Sequence, residues 1–198
     1  MERHRDDIGA RTGMWLFLFT EILLFGGLFM LYSMFRMQHG AEFHKAAENL
    51  NRIAGTTNTL VLITSSLAMA LSIAAIRRGR KAASVALQAT TVLLGCVFLL
   101  IKYFEWSTEI GRGIYPNSPA LLKLDHGEIL FYGLYFVMTG LHGLHVIIGI
   151  SVISFMLVST AKGNITSTDH VRLENSGLYW HFVDTIWVYL FPLFYLVT

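Results

Sequence analysis

Apolar residues come in five long runs, at about 14–35, 57–76, 84–106, 128–158 and 178–197, and polar residues are concentrated between them. A membrane-crossing helix needs about 20 mostly apolar residues, and each run meets that length. Strands of a membrane barrel alternate apolar and polar positions over about ten residues. These runs do not alternate, so the pattern predicts an all-α bundle of five transmembrane helices. The fourth run, 31 residues long, exceeds one crossing and predicts tilt or an extension beyond the bilayer. No repeat and no soluble domain interrupts the pattern, which predicts a single membrane domain over 1–198.

Composition supports this reading. Only 14% of the 198 residues are charged and 54% are hydrophobic, against about 25% charged in soluble domains. The net charge of +2 offers no basic surface for nucleic acid. The lone Cys96 can form neither an internal disulfide nor a CxxC site. The charged start, MERHRDDIGART, runs into an apolar stretch too long for a signal-peptide core and reads as retained.

Charge also sets the expected orientation. The loop RRGRK (77–81) is the most basic connection, and positive charge marks the cytoplasmic side. Placing it inside puts Arg3, Arg5, Arg11, Lys162 and Arg172 inside too, nine basic residues in all, against four in the outer loops. The expected topology is N-inside, C-outside. Trp15, Trp106, Tyr115 and Trp180 fall near run ends, as an aromatic belt would place them. Pro116 and Pro119 mark a turn in the third connection.

Ionisable residues inside the runs are few. Glu21 lies in the first, Lys102 and Glu105 in the third, His142 and His145 in the fourth, His181 and Asp184 in the fifth. Each charge costs at least roughly 2.5 kcal/mol at mid-membrane, so these residues should face other helices. Three readings remain open for them: interhelical hydrogen bonds, a proton-carrying role, and a metal or haem site. Di-iron bundles use Glu-x-x-His pairs on two helices, and no such pair of motifs occurs here. Depth counted from the predicted run ends puts Glu21 about 10 Å and Asp184 about 9 Å from the inner side, with His145 deeper, at about 20 Å. A histidine of the fourth or fifth run is the expected partner of Glu21. Spacing of three places His142 with His145, and His181 with Asp184, on single faces. Lys102 and Glu105 should pair or snorkel outward. Gly26, Gly27, Gly140, Gly143, Ser65 and Ser66 are expected at close helix contacts. Asn58, Thr59, Ser65 and Ser66 should cap or bridge neighbours. The many Met and Phe residues read as lipid-facing filler. Arg77, Arg78 and Arg80 are candidate contacts for anionic lipid headgroups.

Several stretches together resemble subunit III of the haem–copper respiratory oxidases. YWHFVDTIW (179–187) resembles that family's last-helix signature and FVMTGLHGLHVIIG (136–149) its long-helix signature. TEILLFGGLF (20–29) resembles the helix carrying the family's buried carboxylate, which falls on Glu21. NTLVLITSS (58–66) and LQATTVLLG (87–95) also fit, and HVRLENSGLYWH (170–181) keeps the family's spaced His170, Glu174 and His181. The motifs keep their order over roughly residues 14–190. The chain is similar to the five-helix bacterial form rather than the seven-helix mitochondrial one, and Lys102 stands where the family commonly has an amide.

The resemblance implies a non-catalytic, multi-pass subunit of a cytochrome c oxidase-type complex in the bacterial inner membrane. It implies packing against subunit I, with subunit II in the same complex and haem and copper confined to those partners. It further implies bound phospholipid, support of proton uptake, and a buried polar, proton-linked set comprising Glu21, His142, His145, Glu174, His181 and Asp184. A subunit III of a quinol oxidase and an accessory subunit of a nitric oxide reductase are alternatives. An independent membrane enzyme or transporter with its own proton or metal site is more remote, since five helices do not divide into equal inverted halves.

Overall fold

The computed structural model describes residues 7–196; Arg3, Arg5 and Val197 lie outside the described residues. The order is α1 (Asp7–Gln38), α2 (Gly40–Glu48), α3 (Arg52–Arg77), α4 (Lys81–Gly111), a 3-10 turn (Leu121–Lys123), α5 (His126–Ala161), α6 (Val171–Phe191) and a π-helical turn (Pro192–Leu196). No strand occurs among the described residues. Four helices, α1, α3, α4 and α5, are long and apolar enough to cross a membrane. α6 has 21 residues but is diluted by Arg172, Glu174, His181 and Asp184 and is not among the four.

Helix ends run past the apolar runs. α1 starts seven residues before position 14, and α6 seven before position 178. Polar residues continue a helix into the headgroup region as long as its backbone bonds remain satisfied. The fifth run does not stay α-helical to its end. Pro192 has no N–H to donate, and the chain widens there into the π turn.

The pattern of runs misses α2, because nine residues cannot span a bilayer. It is amphipathic, burying Phe43, Ala46 and Ala47 against α5. Lys45 fastens it there, with Nζ 3.1 Å from Glu128 Oε2 and 3.5 Å from Asp125 Oδ2. Asp125 and Glu128 also form the capping box that starts α5. At the other membrane face, Gly79 adopts φ +72°, which closes the tight α3–α4 connection within RRGRK.

Packing makes α3, α4, α5 and α6 a closed ring, each touching the next, with α1 outside it against α5 and α6. Trp180 fills the ring. A Cβ added to Gly149 would lie 2.7 Å from its Cε3, and one added to Gly95 2.9 Å from its Cη2. Its Nε1 donates to Ser65 Oγ at 2.9 Å. One turn pair further on, Trp187 Nε1 donates to Thr59 Oγ1 at 3.0 Å. Trp180 is therefore a core residue and not part of an interfacial belt, whereas Trp15 and Tyr115 are exposed.

Two further expectations are corrected. Gly26, Gly27 and Gly143 have open space where a Cβ would stand, whereas Gly140 lies close to Trp106, at 3.1 Å, as expected; closer approaches occur at Gly55, Gly95, Gly127, Gly149 and Gly177, which meets Ile73 at 2.5 Å. Nor are Phe and Met mainly filler. Phe25, Phe43, Phe98, Phe131, Phe194, Met69 and Met138 are buried, many in edge-to-face ring contacts that add to the burial of their area.

Candidate functional site

The polar residues do not gather into one buried cluster. They occupy separate places around the ring, each with its own chemistry.

Glu21 reaches from α1 to α5. Its Oε2 lies 3.0 Å from His145 Nε2, and His145 Nδ1 lies 2.7 Å from the Leu141 carbonyl oxygen. A carbonyl only accepts, so Nδ1 carries a hydrogen and donates it. The contact between Nε2 and Oε2 then holds one proton between a carboxyl and an imidazole. Whichever atom carries it, the pair is neutral overall, which avoids burying a net charge. Phe25 sets its ring edge-on to His145 at 5.4 Å, and Tyr179 OH donates to the His145 carbonyl at 3.1 Å.

This pairing corrects the depth argument on one point, the poorer match of His145 to Glu21. α1 begins at Asp7 and α5 ends at Ala161. Counted from those ends, Glu21 is about 21 Å and His145 about 24 Å along its helix. The levels match because both helices project beyond their apolar runs.

His142 and His145 share a helix but not an environment. Three residues turn an α-helix to within about 60° of its starting direction. That offset sends His145 to α1 and His142 into the ring, where it is 1% exposed. There it lies against Phe98 and Trp187 at ring distances of 5.5 and 5.3 Å, and neither nitrogen has a hydrogen-bond partner.

His181 and Asp184 do not pair with each other. His181 Nδ1 lies 2.6 Å from Ser66 Oγ on α3. Asp184 is buried in the same groove, and neither of its oxygens makes a hydrogen bond. Glu174 lies where the N-terminal end of α1, the C-terminal end of α3 and the N-terminal end of α6 meet. Arg77 Nε donates to its Oε1 at 3.2 Å, Arg11 to its Oε2 at 2.9 Å, and His170 Nε2 lies 3.0 Å from Oε1. Asn175 Nδ2 donates to the Ala10 carbonyl at 3.1 Å, so this cluster joins α1, α3 and α6. Burial raises the affinity of Glu174 for a proton; the hydrogen bond from Arg77 and the charges of Arg77, His170 and Arg11 outweigh it and hold the carboxyl below its ordinary pKa. Arg77 is thus engaged by protein, while Arg78 and Arg80 are exposed.

The largest polar assembly involves residues the sequence did not connect. Lys102 Nζ lies 3.2 Å from Glu105 Oε2, and donates to Tyr135 OH at 3.1 Å and Tyr195 OH at 2.9 Å. Both tyrosine hydroxyls also bond Glu105 Oε1, Tyr135 at 2.6 Å. Lys102 and Glu105 pair as expected, but inward rather than by snorkelling. Their i, i+3 spacing was readable; the tyrosines, 33 and 93 positions away from Lys102, carried no local signal. Among the described residues, no three His, Cys, Asp or Glu side chains converge as a metal site would require.

Comparison with known proteins places this arrangement. A family model described as cytochrome c oxidase subunit III matches residues 3–198. A cytochrome c oxidase subunit 3 of Thermostichus vulcanus is 33% identical over 94% of this chain and 86% of its own. A cytochrome bo(3) ubiquinol oxidase subunit 3 of Pseudomonas aeruginosa is 27% identical over 98% of this chain and 88% of its own. A heme-copper oxidase subunit I+III of Aeropyrum pernix is 30% identical over 94% of this chain, which spans only 22% of that longer protein.

Proposed function

The chain belongs to the cytochrome c oxidase subunit III family and is a subunit III of a haem–copper oxidase, and from that premise we propose that it is the non-catalytic, lipid-binding subunit packed against subunit I in a bacterial inner membrane. The family match along nearly the whole chain carries this reading. Under it, haem and copper reside in subunits I and II, and bound phospholipid fills the clefts between helices. The fifth crossing is α6, which the buried ring needs as its fourth wall, and the chain runs N-inside, C-outside. All 198 residues form one membrane domain.

Within this subunit, Glu21 and His145 form a proton-buffering pair that supports proton uptake by the catalytic subunit. The support is the 3.0 Å contact between Glu21 Oε2 and His145 Nε2. His142, His181 and Asp184 are further polar, proton-linked groups at separate positions, and Glu174 ties the inner helix ends. Arg78 and Arg80 face anionic headgroups on the cytoplasmic side, where each basic residue contributes about 1 kcal/mol.

The donor read first is cytochrome c. Quinol is the second reading, favoured by the similarity to a protein named as a ubiquinol oxidase subunit 3. The test is affinity purification of the tagged chain from its native membrane. The expected product carries a haem–copper absorption spectrum and oxidises reduced cytochrome c. Oxidation of quinol alone would select the second reading, and a haem-free product would overturn both.

A further inference from the structure

We propose that the groove between α3 and α6 seats a membrane-spanning helix of subunit I, which supplies a side-chain hydrogen-bond donor to Asp184. This rests on the reading of the chain as a subunit packed against subunit I, and it names the face that does the packing.

The groove has a volume of about 380 Å³ and is lined in part by Ser66, Ala70, His181 and Asp184. α1 crosses this seam only at its inner end, where Arg11 meets Glu174 and where Arg11 and Trp15 line a separate pocket with Ile73 and Arg77. Beyond that it leans toward α5 through Glu21 and His145. The rest of the seam stays uncovered. Its rim is apolar and outward-facing, with Ile63 51%, Leu67 59% and Val188 47% exposed. Ile63, Leu67 and Ala70 recur at the three- and four-residue spacing of one helix face, and the small Ala70 lets a second backbone approach closely.

Asp184 distinguishes this groove from an ordinary lipid-facing surface. It is 5% exposed, it lines the groove, and both oxygens lack hydrogen-bond partners. The neighbouring Ser66 hydroxyl, 2.6 Å from His181 Nδ1, has a single hydrogen and can serve at most one Asp184 oxygen, so at least one oxygen is left without a donor. Such a group carries a large penalty in hydrocarbon, where no water can satisfy it. Something that docks here must bring a donor.

Depth selects the kind of occupant. Asp184 lies ten residues beyond Glu174 on α6, about 15 Å further along the helix. Glu174 with its arginines marks the charged inner end, and the hydrocarbon core is about 30 Å thick. Asp184 is therefore near mid-membrane. Phospholipid headgroups, which hold a lipid's donors, lie about 15 Å away, and acyl chains have none. A transmembrane helix can place a hydroxyl, amide, indole or basic side chain at that level. A second copy of this chain across a two-fold axis would set Asp184 against Asp184, an arrangement that the cross-linking below separates from a different partner. Subunit I is the occupant proposed, because a relative named heme-copper oxidase subunit I+III carries both parts in one chain, which keeps them adjacent.

The test uses the assembled oxidase. A photo-activatable benzophenone residue is placed at Leu67 or Val188 in the groove, and at Phe155 on α5 as a comparison position. Illumination of the purified complex should join the groove positions to subunit I in at least tenfold greater yield than Phe155. Asp184→Leu should lower retention of this chain in the detergent-washed complex about threefold to tenfold, the range of single interhelical hydrogen bonds. Asp184→Asn, which keeps a donor and an acceptor, should lose less. If the chain co-purifies with haem but the groove positions label only lipid or subunit II, or yield a dimer of this chain, the proposal is overturned while the functional reading stands. If no haem protein co-purifies, both fall.

Discussion

Glu105 and Glu21 are both acids withdrawn from water, and they are held in opposite ways. Glu105 accepts from two tyrosine hydroxyls on one oxygen and faces the Lys102 ammonium with the other. Lys102 in turn donates to the same two tyrosines and lies over the Tyr135 and Trp187 rings at 4.9 and 5.2 Å. The set draws on α4, α5, α6 and the C-terminal turn. Glu21 has one side-chain partner, His145, on one neighbouring helix. A saturated charge network fixes positions, since moving any member strands the others. The Lys102–Glu105 network is thus suited to holding the bundle closed, while the Glu21–His145 contact ties one helix to a single neighbour.

The largest effect should come from breaking the saturated set. Lys102→Met leaves Glu105 buried without its cation, and removal of one partner of a buried pair costs about 3–5 kcal/mol. Thermal unfolding of the purified complex, followed by loss of this subunit, reads that change. Adding Glu105→Gln to Lys102→Met should restore most of it, because the stranded charge is then gone. A Lys102→Met protein as stable as the parent would erase the contrast with Glu21. A smaller loss, about 1–3 kcal/mol, is expected for Tyr195→Phe, which leaves Glu105 one donor short. Hydrogen exchange should then quicken in residues 192–196, the turn that Tyr195 fastens to α4.

The two sites were unequally legible in the sequence. Apolar runs located the long helices, because a bilayer imposes a minimum apolar length. Their true ends were hidden, because polar residues continue a helix once it leaves the hydrocarbon. That is why Glu21 and His145 seemed mismatched in depth. Helical spacing identified Lys102 with Glu105, but Tyr135 and Tyr195 join them through tertiary packing alone. Trp180 was misplaced for a related reason. Tryptophan near a run end reads as interfacial, yet α6 begins at Val171, which carries Trp180 into the ring. Its signal lay in Gly95 and Gly149, whose missing side chains make room for the indole. α2 left only a short amphipathic pattern, GAEFHKAAE, which a search for crossings passes over.

Glu21→Gln sharpens the other side of the comparison. With His145 Nδ1 committed to the Leu141 carbonyl, Nε2 can accept from the glutamine amide. The contact is kept and only the transferable proton is lost. The stability change should stay within about 0.5–1.5 kcal/mol, the net worth of one hydrogen bond. The assembled complex should turn over at its normal initial rate and lose activity sooner during sustained catalysis. Abolished turnover with normal haem spectra would make Glu21 an obligatory carrier rather than a buffer.

The smallest expected effect lies where the ends of α1, α3 and α6 meet around Glu174. There Glu174 is shared by Arg11, Arg77 and His170, an acid as richly partnered as Glu105 but beside water. If saturation alone decided the energetic weight of a network, Arg77→Gln would rival Lys102→Met. Ion pairs with exposed arginines are screened and contribute only about 0.2–1 kcal/mol, so Arg77→Gln should lower the unfolding temperature only slightly. Its pH dependence identifies the contribution. The folded pKa of Glu174 lies below the unfolded one. Its stabilising share is therefore present above the ordinary carboxylate range and is lost as pH falls through that range to the folded pKa. The difference between parent and Arg77→Gln should be measurable at pH 7, shrink as the medium is acidified below about pH 4, and shrink likewise in high salt. A difference as large as that of Lys102→Met, unmoved by salt, would show that this cluster is shielded from water like the Lys102–Glu105 network, and the distinction between the two networks would then rest on Glu21 alone.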